Sequence, residues 1–338
     1  VPILLEAALS GESALGQTAQ ESLKKLPGSA VDEAILAKLE QADPETRVVL
    51  LGLVGRLAIT GAMPAVLRAA DAPEEPVRLA AIAALGRIIG LKELAILTDR
   101  LLQARSPQET AAAEEALKIA IPRMPDPDAC VGILSERLPN APVASKCFVI
   151  ELIGSIGGEP ALAVVAAAAG DSNEDLQDAA TRALGTWKDA TAAPELLKLA
   201  KTLPTEKFRV RTLRGYLRIA QQMKLSDEQK LAMCDEALAA AQRDEERRLA
   251  LNVLSHVPSA KALSRVTPHL ANPSLAEDAA TAALAISEKI VQSQPRPVAE
   301  AMRQVLNSGV SPEKTTRAKS LEKTATAKLG GGAKTPAP

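Results

Sequence analysis

LGLVGRLAI at residues 51–59 and IAALGRIIG at 82–90 are two copies of one phrase, an apolar helical run that reaches a glycine and then stops near a turn. ELIGSIGG (151–158) and TRALGTW (181–187) repeat it, with Gly154 and Gly185 in the slot held by Gly55 and Gly86. Weaker copies place Lys118, Arg218, Ser255 and Ala285 there, so the slot recurs every 30 to 37 residues from Gly55 onward. A second feature keeps step: eight residues before the slot stand Arg47, Arg78, Lys146, Gln177 and Arg247, which open the same run with a long polar side chain. Self-similarity at such a period is the signature of a repeat architecture.

A second apolar pattern runs between these phrases: VDEAILAKLEQA (31–42), MPAVLRAAD (63–71), ELAILTDRLLQA (93–104), PELLKLAKTL (194–203) and KALSRVTPHL (261–270). Its apolar residues recur at i, i+3, i+4 and i+7, the helical period. Helix-start signals mark the boundaries: Asp43-Pro44-Glu45, Pro73-Glu74-Glu75, Ser106-Pro107-Gln108-Glu109, Ser172-Asn173-Glu174-Asp175 and Ser226-Asp227-Glu228. Ser, Asn or Asp at such a place can accept from a free first-turn amide, and acids just inside suit the positive helix end. The unit is therefore a pair of antiparallel helices of about 12–16 residues each. One pair cannot hide its apolar stripe alone, so the reading predicts an all-α solenoid, a superhelix of about ten stacked pairs. It covers residues 1–310, followed by a polar capping helix over 311–329 and a flexible tail or linker over 330–338, where Gly, Pro and Ala take over.

Composition agrees. Apolar residues make up 47 per cent of the 338, yet only Phe148, Trp187, Phe208 and Tyr216 are aromatic. Helices packed at about 8–10 Å need Ala, Val and Leu between them rather than rings. No uncharged stretch exceeds 12 residues (249–260; 57–67 and 160–170 have 11), which leaves nothing long enough to span a bilayer as a helix. Glu6 and Glu12 sit where a signal peptide would carry basic and then apolar residues, so no targeting segment is expected. Cys130, Cys147 and Cys234 form no CxxC pair and no disulfide framework; each reads as a small apolar residue.

The phrase resembles the HEAT repeat and the related short bacterial repeats first named from phycobilin lyases, over residues 1 to about 310. Three segments sharpen the likeness: AAAEEALKIAIPRMPDPDAC (111–130), LQDAATRALGTWKDATAAPELLKLAK (176–201) and residues 210–259. They are similar to HEAT regions of large exported bacterial proteins that often also carry a 3-keto-disaccharide hydrolase domain. The resemblance implies a companion module rather than a catalyst, and work outside the cytoplasm.

Catalytic patterns do not appear. His256 and His269 form no His-x-x-x-His pair, and zinc wants at least three ligands. Iron-binding HEAT-like enzymes of the deoxyhypusine hydroxylase type use His-Glu dipeptides, but Val257 and Leu270 follow these histidines. No G-x-S-x-G elbow is present, and Gly154-Ser155-Ile156-Gly157-Gly158 lacks a Lys-Ser/Thr to hold phosphate, which leaves a helix C-terminal turn. No cofactor is expected.

Charge supplies the functional hint. The chain balances 40 basic against 41 acidic residues, but residues 1–197 hold 17 basic and 27 acidic, and residues 198–338 hold 23 and 14. Between Lys198 and Lys224 eight cations face one acid, Glu206. Lys207, Arg211, Arg214 and Arg218 fall at i, i+4, i+7 and i+11, on one helix face. They read as a basic ridge on the inner surface of the solenoid, or as a stripe neutralised by acids of adjoining helices, Glu195, Asp235, Glu236 and Asp244 to Glu246 among them. Trp187, the single tryptophan, is the other candidate contact, as an exposed anchor or as filler between repeats. The leading function is a monomeric, non-catalytic scaffold for a protein partner or companion domain. Nucleic-acid binding through the ridge at 198–224 is the alternative, with net charge and scarce aromatics against it. A lyase-like pocket between repeats is the third reading.

Overall fold

The computed structural model describes residues 1–9, 14–26 and 29–331. Residues 332–338, most of the expected tail, lie outside them; Gly330 and Gly331 close the last helix. Among the described residues there are twenty α-helices and no strand. The chain divides into two units, Val1–Val165 and Ala166–Pro338.

The first unit holds α1 (Pro2–Leu9), α2 (Ala14–Lys25), α3 (Ala30–Gln41), α4 (Pro44–Leu57), α5 (Met63–Ala69), α6 (Glu75–Ile88), α7 (Leu94–Leu102), α8 (Pro107–Ala120), α9 (Pro127–Ser135) and α10 (Val143–Ile156). α11 (Gly158–Ala169) carries the chain past the border. The second unit holds α12 (Glu174–Gly185), α13 (Ala193–Thr202), α14 (Glu206–Gln222), α15 (Asp227–Ala240), α16 (Asp244–Ser255), α17 (Ala260–Val266), α18 (Ala276–Ile290), α19 (Pro295–Asn307) and α20 (Pro312–Gly331).

Both units are built by one rule. Within each unit an odd-numbered helix packs on the even-numbered helix that follows, from α1 on α2 to α9 on α10 and from α13 on α14 to α19 on α20. Even helices then pack on even ones (α4·α6·α8; α12·α14·α16·α18) and odd on odd (α3·α5, α7·α9; α13·α15·α17·α19). The result is an all-α solenoid architecture of paired helices in two layers. α20 packs against α18 and α19 and buries Ala318 and Ala325.

Four of the five start signals act as caps, whereas Glu74 before α6 makes no side-chain bond to its helix. Asp43 Oδ1 accepts from the Thr46 amide at 3.0 Å, Asn173 Oδ1 from Leu176 at 3.1 Å, and Ser226 from Gln229 at 3.2 Å, with Gln229 returning a bond to the Ser226 amide. Pro44 and Pro107 stand at the first helical position, where a missing N–H costs nothing. Two readings differ from the structure: α5 and α17 have seven residues and α7 and α9 nine, short of the expected 12–16. The helical pattern over 261–270 is broken: α17 ends at Val266, and Thr267–Ala271 turns as a 3₁₀ segment, because Pro268 has no amide to continue the ladder.

The slot glycines have a packing cause. Gly86 lies inside α6, and a Cβ built on it would stand 2.6 Å from Ala116 Cα and 2.8 Å from Ala116 O in α8. On Gly55 it would stand 3.2 Å from Ala84 Cα, and on Gly215 2.9 Å from Gly185 Cα. Even helices thus touch backbone to backbone where the phrase ends, a closeness only small residues permit. Gly157, by contrast, serves its turn through conformation: at φ 80° it closes α10.

Candidate interaction surface

α14 carries the four cations of the expected ridge, and its neighbours in the even layer are α12 and α16. Asp178 of α12 takes two of them: Lys207 Nζ lies 2.6 Å from its Oδ1, and Arg211 Nη1 lies 3.1 Å from the same atom. The Arg211 guanidinium also donates to the Asp178 carbonyl and to Thr181 Oγ1, each at 3.0 Å. Both cations stand over the buried Phe208 ring, at 5.2 and 5.8 Å from its centroid. The Lys207 hydrogen bond holds the Asp178 carboxyl below the usual carboxylate range, against burial, with Arg211 adding to it.

Arg214 turns the other way. Its Nε donates to Glu246 Oε1 of α16 at 2.9 Å, and Glu246 is 1 per cent exposed. Among the described residues Arg218 has no carboxylate partner; its Nε donates to the Gly185 carbonyl at 2.9 Å and its Nη2 to the Trp187 carbonyl at 2.6 Å. It caps the free carbonyls at the end of α12. The four predicted cations therefore share a face, and each is bonded to the preceding or following even helix. Trp187 is 2 per cent exposed and, with Phe208, heads the buried side chains by size. It fills the interior of the second unit and offers no ring to a partner.

These bonds belong to a series. In the even layer Arg78 of α6 meets Glu109 of α8 at 2.6 Å, and Arg248 of α16 meets Asp278 of α18 at 3.1 Å. In the odd layer Arg265 of α17 meets Asp235 of α15 at 2.6 Å, and Arg100 of α7 pairs with Asp71, which follows α5. The polar residue eight before the slot has a second duty. Arg47 donates to the Ala42 carbonyl at 2.9 Å, Arg78 to Ala72 at 2.9 Å and Pro73 at 2.6 Å, and Arg247 to Ala241 at 2.9 Å. Each reaches back five or six residues to tie the turn inside its own pair. Arg209, one position out of step, does the same to Leu203 and Pro204. Carbonyl capping of the Arg218 kind recurs where Arg123 donates to Gly86 at 2.8 Å and Lys289 to Ser255 at 3.4 Å, both slot residues.

The remaining candidates are quiet. His256 Nδ1 lies 2.8 Å from the Asn252 carbonyl, and burial lowers the His269 pKa. Burial pushes the Cys234 thiol up to about 12 and raises that of Cys130. A cleft of about 420 Å³ beside α3 and α5, lined by Leu39, Glu40, Arg47, Arg68 and Pro73, holds an exposed Arg68–Glu40 pair. Sequence reasoning missed a different feature: Arg56, Arg87 and Lys118, exposed at the ends of α4, α6 and α8. Their strict spacing of 31 residues was the available signal.

Among the described residues no helix is long and apolar enough to cross a membrane. A comparison with curated proteins found no match. Among solved structures the chain is similar to importin beta, at 14 per cent identity over 98 per cent of this chain and 57 per cent of that one, with a TM-score of 0.43. It is similar to the CpcE–CpcF complex of phycocyanin lyase from Nostoc sp., at 20 per cent identity over 71 and 94 per cent with a TM-score of 0.32. It is similar to human deoxyhypusine hydroxylase, at 17 per cent over 75 and 94 per cent with a TM-score of 0.30. The HEAT repeats family matches residues 31–118, the stretch from α3 through α8 where the slot glycines meet the next even helix. That match identifies residues 31–118 as HEAT repeats, and helix-pair contacts of the same kind recur in both units of the chain.

Proposed function

We propose that the chain is a non-catalytic scaffold whose helix faces engage a protein partner or a companion domain. The observation that supports this reading is the closure of its polar chemistry on itself. Arg78, Arg211, Arg214 and Arg218 each bind a neighbouring helix, and the acids Glu109, Asp178 and Glu246 are their counter-ions or lie among them. Side chains arranged to join successive pairs build a frame, and the outward faces of that frame repeat with the pairs. The raised thiols of Cys130 and Cys234 fit the same view, since a nucleophile needs its thiolate.

Cross-linking of the purified full chain in a lysate of its source, read by mass spectrometry, tests the reading. Cross-links from a protein to exposed positions of the even or odd helices are expected. Recovery of small molecules alone, with turnover of one of them, would replace the scaffold with an enzyme.

A further inference from the structure

The joint between α6 and α8 contains a group that the joint between α4 and α6 lacks. Gly55 abuts Ala84 of α6 and Gly86 abuts Ala116 of α8, which sets the two joints in one register. In that register Arg47 takes the place of Arg78, Val77 the place of Glu109, and Pro73 the place of Arg105. The α6–α8 joint is closed: Glu109, 5 per cent exposed, accepts from Arg78 Nε at 2.6 Å and from the Arg105 amide at 2.8 Å. The α4–α6 joint has neither the acid nor the amide, because Val77 carries no charge and Pro73 no N–H.

Arg47 is left without a counter-ion. It is half-buried, its Nη2 donates to the Ala42 carbonyl at 2.9 Å, and among the described residues no carboxylate lies within ion-pair range of it. Glu74, next in sequence to Pro73, forms no ion pair with it, although one Glu74 oxygen is buried without a hydrogen-bond partner. The cleft of about 420 Å³ opens at this place, with Arg47 and Pro73 in its lining. That volume lies within the range of ligand sites, about 300–1,000 Å³. Leu39, Ala65, Ala69 and Ala72 give the cleft an apolar wall, and Arg68 supplies a second cation. Arg68 is loosely engaged: its Nη2 lies 3.5 Å from Glu40 Oε1, and the two side chains are 66 and 67 per cent exposed. Such a pair is worth little in water and is readily exchanged.

We propose that this cleft binds an acidic side chain of a protein partner, whose carboxylate meets Arg47 as Glu109 meets Arg78. The matching place in the next joint is filled by a glutamate side chain, so the chemistry of the occupant is written in the chain itself. The apolar wall suits the stem of such a side chain, whereas a doubly charged, hydrated phosphate would lose water there and face Glu40. Arg68 can leave Glu40 to make a second contact. The site rests on the scaffold reading and names the chemistry by which one partner is held.

NMR of the full chain with nitrogen-15 arginine, observing the Nε–H signals, locates binding, and titration of the peptide signals measures affinity. The probe is N-acetyl-Leu-Glu-Leu-amide; its controls are N-acetyl-Leu-Gln-Leu-amide, N-acetyl-leucine and inorganic phosphate. The glutamyl peptide is expected to shift the Arg47 signal, identified by its loss in R47Q, and the glutaminyl peptide to leave it in place. R47Q is expected to weaken binding about tenfold and R68Q about threefold. V77E supplies the missing acid from within and keeps the Arg47 bond to Ala42; the Arg47 signal is expected to move without peptide and to respond to it no further. R68Q, which alters an exposed group, keeps the test open should V77E fail to fold. An unresponsive Arg47 signal, an equal response to the glutaminyl peptide, tighter binding of N-acetyl-leucine or phosphate, or full affinity in R47Q would each overturn the proposal. So would an Arg47 signal that moves as far in E74Q as with the peptide, since Glu74 would then be its partner. If the peptide fails while cross-linking still finds a protein on other helix faces, the site falls and the scaffold stands; failure of both removes both.

Discussion

Gly86 has no space for even one methyl group, because the backbone of Ala116 already fills it. Gly86→Ala must push α6 and α8 apart, and a loss of about 2–3 kcal/mol is expected, as for overpacked interiors generally. Gly132 lies exposed in α9 with nothing within 4 Å of a built Cβ. Gly132→Ala is expected to move the other way, a gain of about 0.5–1 kcal/mol from helix propensity alone. Urea unfolding of the two variants checks both signs. The Arg78–Glu109 pair tests the ionic joints. Burial pushes the Glu109 carboxyl up, but the Arg105 amide and the Arg78 guanidinium outweigh it and hold the group below the usual range. Its contribution is therefore present above the ordinary carboxylate pKa and is lost as pH falls through the lower folded value. Glu109→Gln is expected to cost about 2–3 kcal/mol at neutral pH, since it leaves Arg78 buried beside a neutral group, and the gap to the parent chain narrows below about pH 4. A constant gap across that range would show that the pair carries no charge-linked stability.

Helix identity was legible because it is local. Asp43, Ser106, Asn173 and Ser226 announce helix starts through their own side chains, and the structure finds each bonded to an amide three residues on. Pro268 carried an equally local message, yet the apolar period of Leu263, Val266 and Leu270 runs straight across it and masks the break. The partners of the α14 cations were not legible in the same way. Helical spacing puts Lys207, Arg211, Arg214 and Arg218 on one face, but which acid stands opposite depends on the register of α12 and α16 against α14. Of the acids weighed from sequence, Glu246 is a partner; Asp178, which takes two cations, escaped notice because it lies before the basic segment. Arg211→Glu with Arg214→Glu sets like charges against Asp178 and the buried Glu246. A melting temperature lower by at least a few degrees is expected, with little change in retention on an anionic matrix. Lost retention at an unchanged melting temperature would restore the open ridge.

At the scale of the molecule, stability is laid down between neighbours. Gly86 against Ala116, Arg78 against Glu109, Arg214 against Glu246 and Arg123 over the end of α6 all join one pair to the next, about 30 residues away in sequence. The repetition itself was legible from the slot. In such an array a damaged joint loosens its neighbours first and leaves distant pairs firm. Hydrogen exchange followed by mass spectrometry, comparing Gly86→Ala with the parent chain, tests this most directly. The expected result is faster exchange greatest in α6 and α8, smaller in α4 and α10, and absent from α14 onward. Equal acceleration from α3 to α20 would mean that the chain opens as one cooperative core, and would contradict an architecture built from joints between successive helix pairs.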